Sequence, residues 1–266
     1  MSSPILFDSL THPMPDGGWI HERYRGQNTI EALLVQMREA RIGKAFAVGL
    51  GTTIGGYHED TYADWVRAAS PDLLPVAFAD IPTAIQLGVD AYVQRLRARG
   101  YVGIKIHPRI AEITLSHAFL PDLIRAAHAH RLLVFVCTYF WNSRIDAYDS
   151  DMHALQRLLS MTIGCKIILL HGGVIRLLEV AEIVRHFPQV ILDVSFTICK
   201  YPGSSLDADL RFLFAHFDRR ICVGSDSPEF SLGALRTRFD ELSDGLDDAR
   251  RVRIAYGNLQ SCLEQW

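Results

Sequence analysis

Side chains that can move protons, bind metal ions or hold anions recur directly after the apolar runs of this sequence. Carboxylates, imidazoles, a lysine, an arginine and a thiol stand at these places: Asp8, His12, Asp80, Lys105, His107, Arg109, Cys137, His171, Asp193 and Asp226. Carboxylates and imidazoles act as general acids and bases, and with a thiolate they include the ligand types of a catalytic zinc ion. If the apolar runs are parallel strands of one barrel, their carboxyl ends share one face and these side chains converge there. The sequence therefore predicts an active site at that face.

The elements that must position these side chains are eight β-rich runs that alternate with eight amphipathic runs. The predicted strands cover residues 5–9, 44–50, 74–79, 102–107, 132–138, 166–171, 190–195 and 221–225. The predicted helices cover residues 29–40, 60–69, 84–99, 121–130, 151–160, 174–186, 207–216 and 232–240. Successive strands start 24 to 39 residues apart. This spacing leaves room for one helix between each pair, because a βαβ unit needs about 30 residues.

The alternation predicts an α/β fold with one domain, a (β/α)8 TIM barrel over residues 1–266. Runs such as 166–171 (KIILLH) are apolar on both faces, as expected for strands buried between a barrel interior and a layer of helices. An open doubly wound sheet is the alternative, and it would normally carry a glycine-rich fingerprint after its first strand. Residues 8–13 (DSLTHP) stand at that place instead, which favours the barrel.

Composition and charge exclude several classes of protein. The chain has 266 residues, of which 49% are hydrophobic and 21% charged, which is typical of a globular protein and excludes a disordered one. Lys and Arg number 27 against 30 Asp and Glu, so no basic excess indicates nucleic-acid binding. No apolar run approaches the roughly 18 residues that cross a bilayer. The five cysteines are far apart and the amino terminus lacks a signal-peptide pattern, so we expect reduced thiols in the cytoplasm.

Five segments resemble, in the correct order, the conserved segments of the amidohydrolase superfamily. They are residues 7–13 (FDSLTHP), 103–108 (GIKIHP), 169–173 (LLHGG), 224–228 (GSDSP) and 256–263 (YGNLQSCL). They are similar to strands 1, 4, 6 and 8 and the closing helix of the branch of metal-dependent hydrolases of the aminocarboxymuconate-semialdehyde decarboxylase type. The match extends over nearly the whole chain and implies a TIM barrel.

The resemblance also implies a metal site, from which this sequence departs at two positions. Members of the family usually bind one divalent ion through two strand-1 histidines, a strand-5 histidine and a strand-8 aspartate. His12 and Asp226 match two of these positions, whereas Leu10 and Cys137 occupy the other two. Leucine cannot bind a metal, but a cysteine thiolate can and would favour zinc. We therefore expect one divalent metal, zinc, held by His12, Cys137 and Asp226, with His107 as a substitute ligand; a barrel without any metal is the alternative.

Each remaining site residue has a functional interpretation and a purely structural alternative. His171 matches the strand-6 histidine that acts on water or substrate, but it is equally a buried histidine bonded to a carbonyl. Lys105 either holds a substrate carboxylate or forms an ion pair with Asp80 or Asp8. Cys137 could simply be a small core residue.

Further residues complete the predicted site. His107 and Arg109 follow the same strand as Lys105, and Trp141 belongs to an aromatic loop over the mouth of the barrel; we expect these four residues to bind substrate. For Asp226, the alternative role is an N-cap of the next helix. For His12, the alternative is a loop histidine that caps the turn before Pro13.

These assignments predict an enzyme, a hydrolase that cleaves a lactone, amide or ester of a small carboxylated substrate. Asp226 would accept the proton of the attacking water, and His171 would stabilise the oxyanion or protonate the leaving group. A decarboxylase of a small unsaturated acid is the alternative chemistry. An inactive barrel that serves as a binding protein is a further alternative, supported by Leu10. The expected partner is a small molecule, and a homo-oligomer is compatible with the sequence.

Overall fold

Eight parallel strands form the centre of the protein. The computed structural model describes residues 3–51, 54–140 and 152–266. The strands are β1 (Leu6–Thr11), β2 (Ile42–Val48), β3 (Leu73–Phe78), β4 (Gly103–Ile106), β5 (Leu133–Cys137), β6 (Ile167–Leu170), β7 (Val190–Asp193) and β8 (Ile221–Cys222). They lie in the order β1 to β8, each parallel to the next. The sheet therefore has the strand order of a barrel.

The last strand returns to the first through backbone hydrogen bonds. The Ser9 amide donates to the Val223 carbonyl at 3.1 Å, and the Asp226 amide donates to the Leu10 carbonyl at 2.9 Å. The His12 amide donates to the Ser227 carbonyl at 2.9 Å. These bonds bring the segment after β8 against β1, so the predicted (β/α)8 TIM barrel is confirmed.

Helices connect the strands on the outside of the barrel. They are α1 (Ile30–Glu39), α2 (Glu59–Ala69), α3 (Ile81–Leu87), α4 (Val89–Ala98), α5 (Pro108–Ala111), α6 (Leu120–Ala129), α7 (Met152–Met161), α8 (Leu177–Arg185), α9 (Thr197–Lys200), α10 (Leu206–His216), α11 (Leu232–Leu242), α12 (Asp248–Val252) and α13 (Asn258–Glu264). In α1, the Thr29 side chain caps the first turn by accepting from the Ala32 amide. Leu33 and Met37 of this helix are buried, as its apolar stripe predicts.

Two predicted helices differ from the observed ones. The single helix predicted over 84–99 is two helices, α3 and α4, because Gly88 between them has φ +82° and interrupts the helix. The helix predicted from residue 174 begins at Leu177, because Val174 has φ +58° and precedes it in a 3-10 segment. Both helix breaks depend on positive φ angles, which the spacing of apolar residues does not predict.

Apolar side chains fill the barrel interior below the carboxyl ends of the strands. Phe46 packs against Phe7 with ring centroids 4.8 Å apart and against Phe135 at 4.9 Å. Leu10 and Val48 belong to the same buried cluster. A second, larger cluster lies between the strands and the helices. The interior is therefore a packed core, and a site can form only above it, at the ends of the strands.

Two further features are the lengths of the helices and the state of the cysteines. Across residues 3–51, 54–140 and 152–266, no helix is both long and apolar enough to span a membrane. All five cysteines lie in this part of the chain, and each is a free thiol.

Candidate active site

His12 lies directly after β1 with both ring nitrogens engaged. Its Nδ1 is 2.7 Å from the Val48 carbonyl oxygen, which only accepts, so Nδ1 carries a hydrogen and donates it. Burial, reinforced by the nearby charge of Lys105, lowers the pKa of His12 to about 4. The ring is therefore neutral at pH 7, and Nε2 presents a lone pair.

Lys105 and Asp226 both lie beside that lone pair. Lys105, which is 1% exposed, places its Nζ 3.2 Å from His12 Nε2. Asp226 Oδ1 is 3.5 Å from the same nitrogen. Burial lowers the pKa of Lys105, but the Asp226 carboxylate counteracts this shift. Burial disfavours the ionised form of Asp226, but the positive charges of His171 and Lys105 outweigh this and hold its pKa well below the usual range.

A second group of titratable side chains lies at the ends of β4, β5 and β6. Burial opposes the ionised thiol of Cys137, yet His107 and His171 interact with it and lower its pKa well below the usual value. Burial likewise opposes charge on His171, but Cys137 and Asp226 outweigh this and raise its pKa. For His107, burial dominates and lowers the pKa. A thiolate–imidazolium pair, Cys137 and His171, is the arrangement these directions support.

Buried hydroxyl and carboxyl groups hold His171 in place from below. The His171 amide donates to Asp193 Oδ1 at 3.1 Å, and its Nδ1 is 3.3 Å from the Ser195 carbonyl oxygen. Asp193 in turn accepts from the hydroxyls of Ser9 and Ser195. His171 and Asp226 also have positive φ angles of 69° and 58°, which non-glycine residues adopt rarely. Such strain occurs where the surrounding structure fixes a functional side chain.

Side chains of both titratable groups line one cavity of about 340 Å³, which is within the size range of small-molecule sites. Its lining is charged at the floor and aromatic at the walls: His12, Trp19, Ile20, His21, Arg23, Leu50, Lys105, His107, Arg109, Tyr139, His171, Phe196, Lys200, Asp226 and Glu229. The Arg109 guanidinium stacks over Tyr139 at 4.2 Å, and its buried Nε has no hydrogen-bond partner among the described residues. The cavity therefore combines a planar wall with a cation that lacks a protein acceptor at Nε.

Comparison with protein families identifies the chain. A family model of amidohydrolases matches residues 8–258. The chain belongs to the amidohydrolase family. Among curated proteins, no sequence is similar enough to count as a match.

Solved structures show the same fold for this amidohydrolase-family chain. An uncharacterised TIM-barrel protein from Bordetella bronchiseptica has a TM-score of 0.81 at 18% identity, covering 98% of both chains. A dihydroxybenzoic acid decarboxylase from Polaromonas, with bound manganese and the inhibitor 2-nitroresorcinol, has a TM-score of 0.71 at 15% identity, covering 98% of this chain and 97% of that one. A 2,6-dihydroxybenzoate decarboxylase from Rhizobium has a TM-score of 0.67 at 13% identity, covering 98% and 99%. Identities this low establish the fold alone.

The donor set of this chain does not fit the predicted zinc ion. The described residues contain no group of three or more His, Cys, Asp or Glu side chains arranged to hold a metal. Leu10 belongs to the apolar cluster of the barrel interior, and Cys137 interacts with His107 and His171. In the described residues, His12, Cys137 and Asp226 do not form a three-ligand site, and the Cys137 thiol interacts with two imidazoles instead.

The structure brings most of the predicted site together. Six predicted residues line the cavity: His12, Lys105, His107, Arg109, His171 and Asp226. Cys137 is 2% exposed and is absent from the lining, so it lies behind the cavity wall. Trp141 lies outside the described residues. The suggested ion pair of Lys105 with Asp80 is wrong, because Asp80 caps α3 through Thr83 while Lys105 contacts His12.

Sequence reasoning missed the residues that reach the cavity from loops. Trp19 and Arg23 come from the connection after β1, and Phe196 and Lys200 come from the segment after β7. Glu229 was also missed, although it follows Asp226 by three residues and accepts from Trp19 Nε1 at 2.9 Å. Its position near the end of strand 8 is the one signal that could have pointed to it.

Proposed function

We propose that this protein is a decarboxylase of a small, planar, unsaturated carboxylic acid. The observation that carries the proposal is the pair of cations, Lys105 and Arg109, in a closely walled aromatic cavity. Arg109 has a buried nitrogen without an acceptor in the part of the chain that the structure describes, which costs free energy unless a ligand supplies one. A carboxylate fits a guanidinium well, because two oxygens can face two N–H groups.

The charges around the cavity favour an anionic substrate. At the mouth, Glu229 is engaged by Trp19 Nε1 and lies 3.7 Å from Arg23 Nη2 and 3.9 Å from His21 Nε2. Deeper in the cavity, Asp226 is the single acidic side chain of the lining, whereas Lys105 and Arg109 are both basic. An incoming carboxylate thus meets an excess of positive charge.

The walls favour a flat substrate. Phe196 lies between Tyr139 and Phe230, with ring centroids 5.7 Å and 5.5 Å away. Trp19 lies 5.1 Å from the His12 ring on the cavity lining. Aromatic faces at these separations stack with another ring, so an aromatic or conjugated acid fits the cavity.

His171 supplies the proton that decarboxylation needs. Its Nδ1–H is directed to the Ser195 carbonyl, so the additional proton of the imidazolium is on Nε2. The proton on Nε2, held against the Cys137 thiolate in the resting site, is transferred to the ring carbon that bears the carboxylate. The bond from this carbon to the carboxylate then breaks, its electron pair returns to the ring and carbon dioxide leaves. Neutral His171 regains a proton from water, which balances the cycle.

Asp226 keeps the site in the charged form that this reaction requires. The carboxylate raises the pKa of Lys105 and of His171 against the effect of burial. Without it, both cations would lose protons more easily. Asp226 therefore acts on the proton donor and on the cation that binds the substrate carboxylate.

Hydrolysis of a lactone, amide or ester is the second candidate function. The observation that favours it is the ionised Asp226 carboxylate, which can accept a proton from an attacking water molecule. Its strongly lowered pKa also makes it a weak base, since general bases work best with a pKa near the working pH. This mismatch is the reason for placing hydrolysis second.

The proposal is tested with the untagged protein and a panel of unsaturated and aromatic acids, 2,6-dihydroxybenzoate among them. We expect release of carbon dioxide and, in deuterium oxide, one deuteron at the carbon that lost the carboxylate. The same preparations are given lactones and aryl esters. Cleavage of these compounds without carbon dioxide from any acid would replace decarboxylation by hydrolysis. The His171→Gln variant serves as the control, because it should abolish turnover while leaving Lys105 and Arg109 in place.

A further inference from the structure

The contact between His12 and Asp226 requires a cation beside it. The Nδ1–H of His12 donates to the Val48 carbonyl, and Nε2 lies 3.2 Å from the Lys105 ammonium, which has only donors, so Nε2 is the acceptor of that contact. Asp226 Oδ1, also an acceptor, lies 3.5 Å from Nε2. Two acceptors at this separation repel each other, and in a buried site no bulk water screens them. A cation that donates to Nε2 and lies near the carboxylate weakens this repulsion.

Lys105 provides that cation from β4, three strands away from β1 in the barrel. Its Nζ lies 3.2 Å from His12 Nε2, at hydrogen-bonding distance, and an ammonium carries three donors and no acceptor. The side chain extends from the middle of β4 and is fully enclosed. A lysine is almost never buried in this way without a partner.

We propose that the Lys105 ammonium is the resident cation of this site in place of a divalent metal ion: it donates to His12 Nε2 and balances the charge of Asp226 at longer range, without a direct ion pair. The tautomer of His12 is the one a metal-binding histidine adopts, with Nδ1 donating to a carbonyl and Nε2 free to bind. Here the lone pair of Nε2 is used by an N–H of Lys105. Leu10 agrees with this assignment, because it offers no lone pair and packs into the apolar interior.

The substitution changes what the site can do. An ammonium cannot be removed by a chelator or exchanged for another ion, and it carries one positive charge instead of two. It can also donate a hydrogen bond to a substrate oxygen. The inference does not depend on the reaction under Proposed function, because metal content and thermal stability test it without a substrate.

The test compares wild type with Lys105→Ala, which removes the ammonium and leaves His12 and Asp226 facing each other. Both proteins are purified without a histidine tag, analysed for bound metals, and melted in increasing zinc or manganese chloride. We expect no stoichiometric metal in wild type and no shift of its Tm. In Lys105→Ala, zinc should raise the Tm progressively, as a ligand that binds only the folded state does. Adding His12→Ala to Lys105→Ala should abolish the shift.

A matched lysine variant controls for the loss of a positive charge in general. Lys200 lines the same cavity at its mouth, and Lys200→Ala should respond to zinc as wild type does. If wild type holds about one metal ion per chain and loses it in His12→Ala, the proposal is overturned. It is also overturned if folded Lys105→Ala shows no zinc response. Where Lys105→Ala does not fold, the wild-type arm decides: a zinc shift that His12→Ala abolishes refutes the proposal, and a flat response supports it.

Discussion

Arg109→Gln separates a substrate-binding role of the arginine from a structural one. In the folded protein, the Arg109 guanidinium stacks over Tyr139, and its Nε is buried without an acceptor. Loss of the stacking costs about 0.5–1 kcal/mol, while removal of the unsatisfied donor returns about 1–3 kcal/mol. The net effect is between about 0 and 2.5 kcal/mol in favour of the variant, so the Tm should stay the same or rise. A substrate carboxylate, in contrast, loses a charge-assisted hydrogen bond.

The expected loss of binding follows from the same contact. A hydrogen bond to a charged group is worth about 1.5–3 kcal/mol, which corresponds to about a 10- to 150-fold weaker Kd. Calorimetry with 2,6-dihydroxybenzoate and with resorcinol, which lacks the carboxylate, measures this term directly. The acid should bind Arg109→Gln more weakly, whereas resorcinol should bind both proteins alike.

A surface arginine provides the control for this experiment. Arg125 lies on α6 and pairs with Asp122 in an exposed position, so Arg125→Gln should leave both affinities unchanged. If folded Arg109→Gln binds the acid as tightly as wild type, Arg109 does not hold the carboxylate. A large drop in Tm would instead assign Arg109 a structural role.

Three further predictions test other parts of the barrel. Asp226→Asn removes the carboxylate that raises the pKa of His171, so kcat should fall by two or more orders of magnitude, with its pH profile displaced to lower pH; an unchanged profile would separate Asp226 from the proton donor. Asp8→Asn tests a carboxyl whose pKa burial raises from 3.8 to about 7. Because the folded state then holds a proton that the unfolded state loses, the contribution of Asp8 to stability is present below about pH 4 and lost as pH rises through 7, by about 4 kcal/mol in all. The variant should therefore gain stability relative to wild type between pH 5 and pH 8 in urea unfolding, and an equal difference at both values would contradict the assigned pKa. Leu10→His alone should leave zinc at background in elemental analysis, whereas Leu10→His with Lys105→Met should retain it; zinc in the single variant would show that Lys105 does not compete with the metal.

The barrel could be predicted because its strands are buried on both faces. Runs such as residues 166–171 are continuously apolar, and β6 lies within that run at Ile167–Leu170. The start of α1 could also be predicted, since Thr29 caps the helix. The helix breaks at Gly88 and Val174 could not be predicted, because they depend on left-handed backbone angles that the hydrophobic pattern does not determine.

The site could be predicted only where strands carry it. Lys105, His171 and Asp226 follow or belong to strands, so barrel geometry alone brings them to one end. Trp19 and Lys200 arrive from connections without periodicity, and their positions depend on tertiary contacts. Cys137 shows the limit of matching a position to a family: its place in the strand order is correct, but its neighbours, His107 and His171, determine its chemistry.

Leu10 and Lys105 agree with the same proposal, in which an ammonium stands in place of a metal ion. A divalent ion at His12 and Asp226 would need further protein ligands, whereas an ammonium has three donors and a single charge. His12 Nε2 accepts one of these donors, and Asp226 balances the charge from nearby. A third protein ligand at position 10 would then have no cation to bind and would cost desolvation, so an apolar residue that completes the interior core is favoured there. Among the described residues, His12 is the hydrogen-bond partner of Lys105, so under the proposed function its other N–H groups can meet the substrate carboxylate, and the substrate would complete the site.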